Sequence, residues 1–178
     1  IAIISDDDAT SIAELQDIQR EKSDTVEITD FKSISDFVTW KKRIIEYNQA
    51  YKNHEIDALC ILNYHTIRED PEISRSMLPK DVMYWTTNNC IVPTMGMRDF
   101  AIADGVLCGV VESSEDHGRE AAAYAAALLK GVDIKNLPVK ISGTGLTMVN
   151  LDTAKRLGIS IPESVQKKKK KVFQARTE

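Results

Sequence analysis

The sequence predicts an α/β fold, a mainly parallel open sheet flanked by helices, and three observations predict it. Short apolar runs at residues 1–4, 56–62 and 106–111 alternate with longer segments of helical periodicity. Apart from Asp57 these runs are apolar without alternation, the pattern of strands buried on both faces. Polar residues gather directly after them, at the strand ends where parallel sheets place ligands. The chain of 178 residues is long enough to bury a sizeable core. Its 23 basic and 27 acidic side chains leave a net charge of −4, which gives no reason to expect nucleic acid or another polyanion. No apolar run approaches the roughly 20 residues of a membrane helix, and no basic-then-apolar leader is present. The chain opens without Met inside the run IAII, so upstream sequence is expected.

Taken in order, residues 1–4 read as a buried strand that stops at Ser5-Asp6-Asp7-Asp8. Ile12, Leu15 and Ile18 keep helical spacing from about Ala9 to Lys22, capped by Thr10 or a preceding Asp. Residues 25–31 alternate around Val26 and Ile28, a second strand. The next helix carries an apolar stripe through Ile34, Phe37, Val38, Ile44 and Ile45, interrupted by Lys41 and Asn48, with Ser33 or Ser35 as cap. Residues 56–62 form a third strand ending at Asn63-Tyr64-His65. A charged loop over 68–76 leads to a helix with Pro79 at its first position, packed down by Trp85. Residues 91–95 and 106–111 are strands separated by a turn or short helix at Arg98 and Asp99. A Ser-capped helix follows, with Ala121, Ala122, Ala125, Leu128 and Leu129 on one face, and Lys130-Gly131 closes it. Residues 139–141 and 146–149 are short strands about Gly143-Thr144-Gly145; Asn150 caps a helix over 152–157 closed by Gly158, and Pro162 starts the last one. Lys167 to Lys171 reads as a solvated helix face or tail.

Little in this chain makes a catalytic set. Cys60, Cys90 and Cys108 sit in or beside apolar runs without CxxC spacing, as small buried hydrophobes do. His54, His65 and His117 have no metal-ligand spacing, and Gly143-Thr144-Gly145 lacks the phosphate-loop pattern. The triplet Asp6-Asp7-Asp8 reads as a helix-capping loop; a divalent-metal site would need a further carboxylate where the chain has Asn63. The polar strand ends remain: Thr10-Ser11, Asn63-Tyr64, residues 95–99 and Glu112-Ser113. In one parallel sheet they converge on a common crevice, with Tyr64, Met95 and Met97 covering an apolar part of a small polar ligand.

The stretch IVPTMGMRDFAIADGVLCGVVESSEDHGREAAAYAAALLKGVDIKNLPV, followed by MVNLDTAKRLGISIPESV, resembles the ABC transporter substrate-binding proteins of the type I periplasmic-binding fold. The matching residues include Pro93, Gly105, Gly118, Ala121, Ala122, Leu129, Gly131, Pro138, Asn150, Ala154, Leu157, Gly158, Ile159 and Pro162. The resemblance implies a lobe of that fold plus a crossover segment: residues 1–104 as the second lobe, 105–137 crossing to the first lobe, 138–166 returning, and 167–178 a basic tail. It implies that the first lobe precedes Ile1. The site residues it supports, with those read at strand ends, are Thr10, Ser11, Asn63, Tyr64, Met97 and Glu112, with no catalytic residue, metal or cofactor. It implies capture of a small solute, an amino acid or similar, for the membrane subunits of an ABC importer. The location would be periplasmic or extracellular, with membrane association through parts outside this chain. An extracytoplasmic ligand-sensing domain and a Rossmann-like enzyme are the alternatives. If the first lobe is absent, the segment between Val106 and Gly131 is expected either to self-associate with another copy or to fold back onto the chain's own sheet.

Overall fold

The computed structural model describes residues 1–21, 23–139, 145–167 and 171–173. Its strands are β1 (Ala2–Asp6), β2 (Asp30–Ile34), β3 (Leu59–Ile61), β4 (Thr94–Gly96), β5 (Cys108–Val111), β6 (Leu146–Asn150) and β7 (Lys171–Phe173). They make one sheet in the order β2-β1-β3-β4-β5-β6-β7. All neighbours are parallel except β5 and β6, which run antiparallel from Cys108↔Val149 to Val111↔Leu146. β1 is the central strand of the first half, in register Ala2↔Asp30 on one side and Ala2↔Leu59 on the other.

Both faces of β1 are covered, which is why Ala2, Ile3 and Ile4 are apolar without alternation. Ala2 and Ile4 face the larger core, built with Trp40, Ile44, Tyr47, Leu59, Ile61 and Met83. Ile3 faces a smaller cluster of Leu15, Cys60 and Leu62. The helix α1 (Ala9–Arg20) lies on the smaller side, while α2 (Phe37–Lys52) and α3 (Pro79–Asn89) build the larger one. Pro79 takes the first position of α3 as expected, and Trp85 meets Phe37 edge-on with ring centroids 5.9 Å apart.

Several boundaries differ from the sequence reading, each for a local reason. β1 extends through Ser5 and Asp6, because both polar side chains find partners in the sheet: Asn63 N–H donates to Ser5 Oγ at 3.2 Å and Thr66 N–H to Asp6 Oδ2 at 3.0 Å. The second strand is β2, not residues 25–31, and Ile34 belongs to it. The cap of α2 is Asp36, whose carboxylate accepts from Thr39 N–H at 2.8 Å, so the helix begins only at Phe37. The packed stripe of α2 is rotated to Trp40, Ile44 and Tyr47, leaving Val38 and Ile45 exposed. The rings win because each polar tip is satisfied: Trp40 Nε1 donates to Thr86 Oγ1 and Tyr47 OH to Asp30 Oδ2, both at 2.9 Å. In α1 the packed residues are Ser11 and Leu15, while Ile12 is exposed.

The remaining helices are α4 (Asp99–Ala103), α5 (Ser114–Leu129), α6 (Leu151–Arg156) and α7 (Glu163–Lys167), with a 3-10 turn at Ile134–Asn136. Ser113 caps α5, Asn150 caps α6, and Gly131 and Gly158 follow those helices at φ 89° and 67°, all as expected. Of the segment 105–137, β5 belongs to this sheet, whereas α5 stands off it with no buried residue. Gly109 in β5 has a packing reason, since a Cβ there would come within 2.0 Å of the Gly96 carbonyl oxygen. Val139 is fully exposed outside any strand, and residues 140–144, with the expected Gly143-Thr144 turn, lie outside the described residues. Cys60 and Cys90 are buried and free; burial pushes their thiols up to about 12 and about 11.

Candidate functional site

β1 connects by α1 to β2 on one side, and β3 connects by α3 to β4 on the other. Connections leaving in opposite directions open a crevice at the carboxyl ends of the two strands, the place where open α/β sheets bind ligands. A cleft of about 510 Å³ lies there, lined by Asp6, Asp8, Thr10, Ser11, Asn63, His65, Thr66, Arg98 and Phe100. Each lining residue is delivered by a strand end or a helix start. Asp6 ends β1; Asp8 caps α1, whose first turn carries Thr10 and Ser11; Asn63 to Thr66 follow β3; Arg98 and Phe100 stand at the start of α4.

Hydrogen bonds fix this lining from beneath. Asp6 is 1% exposed, and its Oδ1 accepts from the Ser11 hydroxyl while its Oδ2 accepts from Thr66 N–H. Asn63 Nδ2 donates to Ser11 Oγ and to Glu14 Oε2, both at 3.2 Å. The same Glu14 pairs through Oε1 with the Arg98 guanidinium. Asp8 accepts from Thr10 N–H at 2.9 Å, and that bond holds its carboxyl below the ordinary 3.8. The Asp6, Ser11, Asn63, Glu14 and Arg98 side chains thus form one continuous relay across three strand ends.

The aromatic side is equally well defined. Tyr64 is fully buried, stacks on His65 with ring centroids 5.0 Å apart, and donates from its hydroxyl to Asp104 Oδ2 at 2.8 Å. Burial, reinforced by the Asp104 carboxylate, drives the Tyr64 phenol well above its usual range and keeps it neutral. His65 in turn meets Phe100 edge-on at 4.7 Å. The cleft therefore has hydroxyls, an amide, carboxylates and a guanidinium on one side and an aromatic wall on the other.

Of the residues read from sequence, Thr10, Ser11 and Asn63 meet in the cleft. Tyr64 lies beneath the wall and props His65. Met97 and Glu112, both exposed, stand on the same edge of the sheet but outside the lining. Arg98 falls within the strand end read at 95–99, whereas sequence reasoning passed over Asp6, Asp8, His65, Thr66 and Phe100 as lining and Glu14 as their support. The signal for His65 was alternation: side chains after a strand point to opposite sides in turn, so Asn63 and His65 share a side that Tyr64 does not. Among the described residues no group of three or more His, Cys, Asp or Glu side chains is placed to hold a metal ion. Smaller cavities of about 330 and 310 Å³ lie beside Asp30 and Tyr47 and beside Tyr84 and Arg156. In the first, Lys32 pairs with Asp30 at 2.7 Å and Arg43 with Glu46 at 2.8 Å, while Glu55 accepts from Asn53 Nδ2 at 3.0 Å.

A doubly wound lobe with a polar cleft at its switch point has the architecture of a periplasmic-binding-protein lobe. The family described as ABC transporter substrate binding protein matches residues 35–173, and the chain belongs to that family of substrate-binding proteins. No curated protein matches the chain in sequence. Among solved structures, it is similar to the ligand-free, open form of a substrate-binding protein with adhesive properties from Clostridium difficile, with TM-score 0.71 and 17% identity over 98% of this chain and 54% of that one. An ABC domain from Streptococcus pneumonia in complex with L-Trp aligns with TM-score 0.63 and 18% identity, over 97% of this chain and 55% of that one. A conserved domain protein from Vibrio cholerae aligns with TM-score 0.54 and 18% identity, over 98% and 54%. The chain thus spans about half the length of these structures.

Proposed function

We propose that this chain supplies one lobe of the capture component of an ABC importer, and that its solute is an amino acid or a similarly small polar molecule. The observation that carries the reading is the cleft at the β1/β3 switch point, where Thr10, Ser11, Asn63 and two carboxylates face an aromatic wall. Those groups suit a solute with a polar head and an apolar body. The L-Trp held by the streptococcal neighbour is a ligand of that kind on the same fold. In this reading residues 1–111 and 145–166 form the second lobe, α5 passes against the first, and closure of the two desolvates the solute. The protein would work outside the cytoplasm and hand its solute to the importer's membrane subunits, tethered through parts beyond this chain. In this chain by itself, the exposed apolar face of α5 would pair with a second copy.

Mass spectrometry of small molecules released on denaturing the full protein tests the reading, followed by calorimetry with each solute found. We expect an unchanged amino acid or amino-acid-like solute binding one to one. Asp8→Ala, which removes a charged acceptor, should weaken it by about tenfold to a hundredfold. Chemical conversion of the bound solute would instead favour the Rossmann-like enzyme. Absence of any released solute, together with no binding of any protein amino acid, would overturn the proposal.

A further inference from the structure

We infer that Glu14, which does not line the cleft, sets its polarity, so that the face this chain turns to the solute selects a protonated nitrogen. This rests on the solute-capture reading above. Asn63 follows β3, and its amide nitrogen donates to Ser11 Oγ and to Glu14 Oε2. The orientation of that amide is dictated by its partners. A carboxylate only accepts, so the amide nitrogen, not the oxygen, has to face Glu14. The single hydroxyl proton of Ser11 goes to Asp6 Oδ1, so the Ser11 oxygen likewise needs a donor from Asn63. Both amide protons are thereby committed to the protein. The polar atom left to this cleft residue is Oδ1, an acceptor with no donor among the described residues.

Glu14 acts on the cation as well. Arg98 is the only Arg or Lys among the described lining residues, and its guanidinium is paired with Glu14, the two side chains being 38% and 27% exposed. One carboxylate from behind the wall therefore does two things: it turns the Asn63 oxygen outward and it neutralises Arg98. Asp8 and Asn63 Oδ1 then present acceptors, while Asp6 is buried behind them with its oxygens bonded to Ser11 and Thr66. An ammonium or amidinium group satisfies such a set through charge-assisted hydrogen bonds, whereas a carboxylate finds like charge and no free cation. A carboxylate on the same solute would have to be held from outside this face.

Calorimetry on the full protein tests this with three probes of one skeleton: the protein amino acid that binds most tightly, its decarboxylated amine, and its deaminated acid. For the wild type we expect the deaminated acid to bind at least about a hundredfold more weakly than the amino acid, and more weakly than the amine. Glu14→Gln should contract the ratio of amine to acid affinity by about tenfold or more, because Arg98 is released and the Asn63 amide is free to turn. Arg98→Gln, which leaves the bonds between Glu14 and Asn63 in place, should keep that ratio within about threefold. If Glu14→Gln fails to fold by circular dichroism, Glu14→Asp, too short to reach both partners, carries the same expectation. An acid that binds the wild type as well as the amine, or an unchanged ratio in the folded Glu14 variant, would overturn this inference and leave solute capture standing. Failure of every protein amino acid to bind would overturn the amino-acid reading and this inference with it.

Discussion

At the residue scale, buried carboxylates organise the turns of this chain, and Asp36 is the clearest case. It is 3% exposed and accepts from Thr39 N–H at 2.8 Å and from the Ser35 hydroxyl at 3.1 Å. Burial opposes its charge, but the Thr39 N–H and hydroxyl, the Ser35 hydroxyl and the Arg68 guanidinium outweigh it and hold the carboxyl below 3.8. A carboxyl depressed in the folded state stabilises above its unfolded value and loses that contribution as pH falls through the folded one. Asp36→Ala should therefore cost about 1 kcal/mol near neutral pH, the typical worth of a helix cap. The gap between wild type and variant should shrink at about pH 3 and below. Urea unfolding at both pH values checks this, and an equal gap at both would show that the charge is not what anchors the turn. The site was partly legible at this scale. Thr10, Ser11 and Asn63 follow strands directly, so position alone pointed to them. Glu14 was not legible, because an amphipathic reading assigns every acid on a helix to solvent. Yet it lies three residues after Ser11, on the same face, and a packed Ser at Ser11 was the clue that polar groups share that face.

At the scale of elements, the larger core depends on how α2 meets α3. Trp40 is fully buried between them, and its indole N–H is held by Thr86, whose own hydroxyl donates to Val82 O at 2.7 Å. Trp40→Ala should destabilise by about 3–5 kcal/mol, through lost burial and the cavity left behind. Trp40→Phe should cost roughly 1–2 kcal/mol, since the Thr86 hydroxyl keeps its bond to Val82 and no buried donor is orphaned. Chemical denaturation of both variants separates the two, and equal losses would argue that the hydrogen bond dominates over the ring volume. A second element-scale test is Gly109→Ala, whose added carbon meets the Gly96 carbonyl oxygen. It should displace β5 from β4 and lower stability by about 1–3 kcal/mol, as overpacking does; a neutral effect would mean the two strands part easily. Helices were legible because period and caps are local. Strand limits were less so: the ladder shifted β2 and β4 toward their carboxyl ends and carried β1 through Ser5 and Asp6, which no hydropathy pattern requires. The reversal of β6 depends on how the chain returns after α5, and the apolar run itself carries no direction.

At the scale of the whole molecule, one part of the fold is held differently from the rest. α5 has 16 residues, a Ser113 cap bonded to Asp116 N–H at 3.2 Å, acids in its first turn and many alanines, yet none of its residues is buried. Its stability rests on capping and propensity, and an isolated helix of about that length is marginal in water. Amide exchange should therefore divide the chain in two. Peptides from α5 should exchange by local opening, at least about a hundredfold faster than those from β1 or α2, which require the core to open. Exchange mass spectrometry on this chain checks it; α5 peptides as slow as β1 peptides would reveal a covering contact that the fold of one lobe does not provide. The unburied helix thus becomes a reporter. Any surface that docks on it, whether a first lobe or a second copy, has to slow its exchange while leaving β1 unchanged. The ratio of the two rates then reads out assembly without a label and without knowledge of the solute.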